Sequence, residues 1–236
     1  MANIIEIGSL YLGGHPVEPG AEYVPGQPIE IGETIPGKEI RWVVVDGMLI
    51  ADRCILTNVS WDDLNTNDLV FGKEVTIDRY RYQTRLLKVG AKKGTSNEWN
   101  TALNAVGEDN ELWHWMDIFF WGQETLIGSN LSRRAHCGCF SARGWGWDNA
   151  SDRDERLGFR PILIPLATKQ LTQPLLGQQL LLWGGQSIVS GRLEQVTDYD
   201  AVLSNGDGVL SHGFGTRLYD GCIVVDRSAV VGMQNI

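Results

Sequence analysis

Apolar residues along this chain gather in short runs broken by glycine, proline and Asx residues, and the period within the runs changes from place to place. Residues 39–45 (EIRWVVV) and 48–56 (MLIADRCIL) flank Asp46-Gly47, and Asp-Gly between apolar runs predicts a β-hairpin with a tight turn. Residues 71–87 (FGKEVTIDRYRYQTRLL) predict a second strand pair that turns near Asp78-Arg79. Between the two pairs, Ser60 is placed to cap a short helix, with Asp62 and Asp63 favourable in its first turn. Trp99, Leu103 and Val106 recur at helical spacing within 97–106, which predicts a short amphipathic helix. Residues 110–124 (NELWHWMDIFFWGQE) hold Trp113, Trp115, Trp121, Phe119 and Phe120, a density that belongs mostly to a core. His114, between two of the tryptophans, reads as a hydrogen-bonded structural histidine. Gln123, Glu124, Ser129 and Asn130 then read as a polar turn.

The pattern changes after residue 132. Residues 136–142 (HCGCFSA) are small and glycine-interrupted, which suits a strand under close backbone packing or a bend. Residues 143–156 (RGWGWDNASDRDER) show neither period and are rich in turn formers, so they predict a long loop. Residues 157–166 (LGFRPILIPL) predict a closing strand. Pro161 and Pro165 are incompatible with a helix interior or a central ladder position, which puts Pro161 at a bulge or an edge.

Downstream, apolar runs at 179–183, 187–196, 201–203, 222–226 and 229–233 alternate with glycine turns, and this predicts a small antiparallel barrel. At the other end, Ile4, Ile5, Ile7, Leu10 and Leu12 fit one edge strand. The rest of 1–36 is turn-rich, with glutamates and no Lys or Arg. The expected organisation is an extended arm (1–36), a domain with short helices and a twisted antiparallel sheet (37–166), a linker (167–176) and a small β-barrel (177–236). The expected class is α+β. The arm could pack on its own domain or on a neighbouring subunit.

Composition adds bounds. The 236 residues are 43% hydrophobic and 21% charged, as expected of a globular protein. A formal charge of −9 argues against general affinity for nucleic acid. No apolar run reaches membrane-spanning length, and the first residues lack the basic start and apolar core of a signal peptide. Cys54 and Cys222 lie in apolar runs and read as buried thiols. Cys137-Gly138-Cys139 is spaced too tightly for a zinc ribbon, and a metal or redox site there would need His136 or a distant partner.

The candidate binding residues lie in the 143–156 loop. Trp and Arg are enriched at binding hot spots, and loops carry function on rigid scaffolds. The chosen set is Arg143, Trp145, Trp147, Asp148, Asn149, Ser151, Asp152, Arg153, Asp154 and Glu155. The competing reading has the tryptophans as the loop's own small core and the arginines paired with nearby carboxylates.

Residues 42–166 resemble the C-type-lectin-like fold in its sulfatase-modifying (formylglycine-generating) branch. More narrowly, they resemble uncharacterised phage and prophage proteins of Gram-positive bacteria and the variable proteins of diversity-generating retroelements. The pieces that carry the resemblance are IADRCILTNVSWDDLN, FGKEVTIDRYRYQTRLL, ELWHWMDIFFWGQE and above all FSARGWGWDNASDRDERLGFRPIL. The resemblance implies a C-type-lectin-like domain whose long loop before Gly158-Phe159-Arg160 forms part of the ligand surface. The last segment resembles Sm-like or SH3-like barrels.

On this basis the expected function is that of a non-enzymatic virion protein, without cofactor or membrane insertion, that presents the loop to a cell-surface glycan or protein receptor. A structural decoration protein of capsid or tail, contacting other virion subunits through the same fold, is the alternative. A Cys-dependent oxidase or metalloenzyme is a third, but the cysteine pair does not match the family's catalytic arrangement. Asp148, Asn149, Asp152, Asp154 and Glu155 supply oxygen ligands enough for calcium, yet the tripeptide loops of calcium-dependent lectins are absent.

Overall fold

The computed structural model describes residues 2–128, 132–167, 171 and 173–235. Ser129 and Asn130, expected in a polar turn, and 168–170 and 172 of the expected linker lie outside the described residues. The N-terminal segment supplies β1 (Ile4–Leu12), β2 (His15–Val17), β3 (Ala21–Glu22) and β4 (Ile29–Gly32). β1 pairs antiparallel with β2, β4 and β5 (Glu39–Val45), so residues expected as an arm lie inside the sheet. β5 turns through Asp46 and Gly47, both at positive φ (49° and 74°) as a type I′ turn requires, into β6 (Met48–Ala51).

Next come β7 (Leu56–Thr57) and α1 (Trp61–Thr66), where Ser60 and Asp63 form a capping box. The predicted second hairpin is β8 (Lys73–Ile77) and β9 (Tyr80–Leu86). The helical spacing at 97–106 gives α2 (Glu98–Val106), followed by the single turn of α3 (Asn110–Trp113). β10 (Phe119–Thr125), β11 (Arg133–Gly138), β12 (Trp145–Asn149), β13 (Leu157–Phe159) and β14 (Pro161–Pro165) complete the first two sheets.

The first sheet runs β2-β1-β5-β6-β14-β9-β8 with β4 on β1, and the second runs β12-β11-β10-β13-β7-β3. Asp78, at the end of β8, accepts hydrogen bonds from the Thr34 amide and hydroxyl, which draws this edge of the first sheet toward the chain leaving β4. A third sheet, β18-β19-β17-β16-β15-β20, contains β15 (Gln179–Gly184), β16 (Ser187–Val196), β17 (Asp200–Val209), β18 (Gly215–Arg217), β19 (Ile223–Asp226) and β20 (Gly232–Asn235).

The expected α+β class is therefore corrected. The described residues are mostly β, 48% strand against 11% helix, in three curled sheets where short helices and one twisted sheet followed by a small barrel were expected. The physical reason lies in the turn residues. Glycines and prolines that suggested loops at 1–36 and 143–156 instead punctuate strands of two to nine residues. Among the described residues only α2 has length and spacing enough for more than two turns of helix.

Both faces of the first sheet's central strands β5, β6 and β14 are buried, which explains their solid apolar runs. Trp42, Val44, Leu49 and Leu163 point into one core with Trp121 and Phe159, whereas Val43, Val45, Ile50 and Ile162 point into another with Trp99, Trp113 and Phe120. The C-terminal sheet has a core of its own around Leu180, Val189, Leu203 and Val225. Within the first sheet β14 is central, between β6 and β9, and not at an edge. Its prolines are tolerated because they are its first and last residues. The ladder to β6 uses only Ile162 and Leu163.

Arg160 sits where the chain leaves β13 in the second sheet and enters β14 in the first. It is fully buried. Nη1 donates to the carbonyls of Ala51 (3.3 Å) and Asp52 (3.0 Å), and Nη2 to those of Trp113 (2.6 Å) and His114 (3.3 Å). The guanidinium lies over the rings of Trp99 and Phe120. Gly158 is required beside it, because a Cβ there would come within 2.7 Å of the Leu56 carbonyl oxygen and 2.9 Å of Cys54 Sγ.

Replacing Arg160 by Ala leaves these carbonyls unpaired and opens a cavity, and should cost about 3–5 kcal/mol in urea unfolding. Arg160→Lys should recover less than half of that, because an ammonium cannot span both carbonyl pairs. A lysine variant as stable as the parent would show that charge alone suffices.

Candidate functional site

The ten residues expected in one binding loop separate onto two sides of the second sheet. β12 pairs with β11 in a register that sets Ala135 opposite Trp147 and Arg134 opposite Asp148. Side chains alternate along a strand, so Trp145 and Trp147 share one face and Asp148 takes the other. The segment expected as a loop without period therefore contains an edge strand with an ordinary period of two. Trp145 packs against the second core and donates from Nε1 to the Gly90 carbonyl (3.0 Å). Trp147 is 40% exposed and lies under the Arg133 guanidinium at 3.8 Å. Arg143 bonds Glu108 (2.6 Å) and Asn104 (2.8 Å), which fastens the start of the segment to the α2–α3 region. Ser151 and Glu155 are exposed.

On the Asp148 side a cleft of about 480 Å³ opens. It is lined by Phe119, His136, Asp148 and Leu157 on the sheet and by Asp152, Arg153, Asp154 and Arg156 on the loop above it. The sequence pointed to Asp148, Asp152, Arg153 and Asp154. It missed Phe119, His136, Arg156 and Leu157, which come from three other strands or their approaches. The available signal was Gly146. A Cβ there would meet His136 Cε1 at 2.6 Å, so this glycine lets the imidazole lie against the edge strand.

The rim is ordered by its own bonds. Arg153 donates from Nε and Nη2 to the two carboxylate oxygens of Asp63 (2.7 and 2.8 Å), which ties the loop to the capped end of α1. The Asp62 amide donates to the Ala150 carbonyl at 3.0 Å, a second tie. Burial would push the Asp63 carboxyl up, but the bonds from Arg153 and Ser60 hold it below the usual range. Asp152 accepts from the Asn149 amide and side chain (3.0 Å each), and Asp154 accepts from the Arg156 amide (2.8 Å). Phe140, 84% exposed, stands beside Phe119 at 5.8 Å between ring centroids and forms an apolar shoulder next to the cleft.

His136 Nε2 lies 3.1 Å from Asp148 Oδ2. Burial pushes His136 down to about 4, only partly offset by the backbone of Trp147. Asp148 is raised, by burial first and then by Asp152 and Asp154. Asp154 is lowered, chiefly by the Arg156 amide. At neutral pH the pair is thus a neutral imidazole donating to a carboxylate, and not an ion pair.

Burial raises the Cys137 thiol to about 12 and the Cys54 thiol to about 11, so neither is a thiolate near neutrality. Among the described residues no group of three or more His, Cys, Asp or Glu is arranged to hold a metal ion, and no helix is long and apolar enough to cross a membrane. No protein-family model, curated protein or solved structure matches the chain, so nothing from known proteins bears on the resemblance drawn from its motifs.

Two predictions follow from this geometry. Trp145→Ala should lower stability by at least ~2 kcal/mol and Trp147→Ala by less than ~1 kcal/mol in urea unfolding. Equal losses would contradict the packing of Trp145 on the second core and the exposure of Trp147. His136 is held neutral in the fold, so the unfolded chain binds the extra proton between pH 6.5 and about 4. Stability should fall on acidification through that window, by about 3 kcal/mol from this group. Asp148, raised in the fold, acts in the opposite direction in the lower part of the window. The His136→Gln variant should show a visibly flatter dependence, and an unchanged slope would mean that His136 is not the group responsible.

Proposed function

We propose that the protein is a binding module whose recognition site is the cleft over Asp148, and that its ligand is a hydroxyl-rich saccharide. The observation that carries this reading is the alternation of Asp148, Asp152 and Asp154 with Arg153 and Arg156 around one opening. Vicinal hydroxyls donate to carboxylates and accept from guanidinium groups at once, so neighbouring acceptors and donors suit a sugar better than an ion of either sign. The exposed Phe140 ring offers the apolar face on which the C–H surface of a sugar ring packs. Arg153 spends two of its five N–H groups on Asp63, which leaves donors for a ligand. The receptor in this proposal is a cell-surface glycan, and carriage on a phage particle is the setting drawn from the sequence motifs.

One observation favours a second reading. Asp148 is raised and Asp154 lowered in the same cleft, and carboxylates driven apart in this way serve as acid and base in glycoside hydrolysis.

The test is a titration of the whole protein against purified wall glycans of Gram-positive cells. Asp148→Asn and Arg156→Ala should weaken binding at least tenfold with melting temperatures close to the parent's, and Trp147→Ala should leave it intact. Loss of binding in Trp147→Ala alone would move the site to the opposite face of β12, and the absence of any glycan binding would overturn the reading. Release of reducing ends during the titration would favour hydrolysis.

A further inference from the structure

A second cavity, of about 680 Å³, lies where the C-terminal sheet packs on the first one, between β1, the β8–β9 turn and β15–β17. Its volume falls in the range of small-molecule sites. Ile7, Ile77, Leu181, Ile188 and Val209 give it an aliphatic part, and Tyr80, Gln179 and Ser190 add polar atoms to the lining.

The seam around it is pinned and not slack. On one side the Arg81 amide donates to Gln234 Oε1 (2.5 Å), and Gln234 Nε2 donates to the carbonyls of Arg81 (2.8 Å) and Leu166 (3.0 Å). On the other side Asn3 Nδ2 donates to the Gln186 carbonyl (2.7 Å) and the Gly47 amide to the Gly185 carbonyl (2.9 Å). Gln234 is buried, and Leu181, Trp183 and Ile188 belong to the main core, so the open cavity is flanked by fixed elements.

The mouth is charged. Glu6, Asp78 and Asp207 line it against the single guanidinium of Arg79, so the rim is formally anionic within a chain that carries −9 overall. Glu6 makes a long contact with Arg41 (3.5 Å), and Asp207 accepts from the adjacent Gly208 amide (2.7 Å). Arg79 occupies the second position of the tight turn at φ 75°, where glycine is favoured.

We propose that this cavity binds an amphipathic organic cation, with a short alkyl or aryl body against the aliphatic walls and an ammonium or amidinium head at the mouth beside Glu6 and Asp207. Apolar walls set the affinity for the body, and the rim sets the sign of the head. An organic anion of the same shape would meet three carboxylates and is disfavoured.

The test uses three probes of one shape: hexylammonium, hexanol and hexanoate, each titrated calorimetrically into the full chain. Hexylammonium should bind at one site and at least tenfold more tightly than hexanoate, with hexanol between them. Asp207→Asn should narrow the cation preference several-fold, and Arg79→Gln should widen it. Ser190→Trp, which fills the cavity from β16, should abolish binding of all three; if that variant does not fold, Gln179→Trp serves in its place. No binding by any probe, tighter binding of the anion, or full binding in a folded cavity-filling variant would each overturn the proposal. None of these outcomes depends on the saccharide cleft, which lies on the second sheet.

Discussion

The buried guanidinium of Arg160 is the constraint on which the two N-terminal sheets depend. A charge taken out of water is costly unless it is densely bonded, and here four carbonyl oxygens and two aromatic faces take the place of water. Those carbonyls come from the end of β6 and from α3, while Arg160 itself joins β13 to β14. One planar side chain thus fixes three separate chain segments in register. Asp52, also buried, supplies the nearby negative charge, and it is in turn bonded by Arg53 at 2.9 Å through each oxygen. The aliphatic and aromatic residues could pack in more than one way. The fork geometry of Arg160 accepts one.

This accounts for the Gly158-Phe159-Arg160-Pro161 motif in local terms. Gly158 allows β13 to approach Leu56 and Cys54, Phe159 fills the first core, Arg160 makes the switch, and Pro161 opens a strand whose ladder to β6 begins one residue later. A motif explained by its own packing is evidence about the neighbourhood of that packing, and it carries little information about a wider family.

What was legible in the sequence was what is encoded locally. Asp46-Gly47 turns as expected because both residues accept positive φ, Asp78-Arg79 turns as expected although Arg79 takes a positive φ that favours glycine, and the C-terminal strands show as apolar runs between glycines. The class was not legible, because strands as short as β3 and β7 have too few residues to show a period, and their pairing partners lie far away in sequence. The candidate cleft was half legible. Acidic and basic residues in 148–154 were recognised by type, but the tryptophans beside them belong to the other face. A period of two across Trp145, Trp147 and Asn149 was present and was hidden by the glycine and turn residues around it. His136 and Phe119 could not be assigned to the cleft without the β10–β11–β12 register.

The cleft's chemistry follows from how fully its rim is already bonded. Arg153 is held by Asp63, Asp152 by Asn149, and Asp154 by Arg156, so these side chains have lost much of their rotamer freedom before any ligand arrives. Preorganisation of this kind lowers the entropic cost of binding. It also caps the gain, because each internal bond leaves fewer donors and acceptors for the ligand. A rim that is rigid, mixed in charge and partly self-satisfied favours a ligand that adds hydrogen bonds in the open positions without displacing those present. A single strong ion would have to break the internal pairs, whereas several hydroxyl groups in a fixed array need not. The neutral His136 behind Asp148 fits the same economy: it orients the carboxylate by one hydrogen bond and adds no charge to the floor of the cleft.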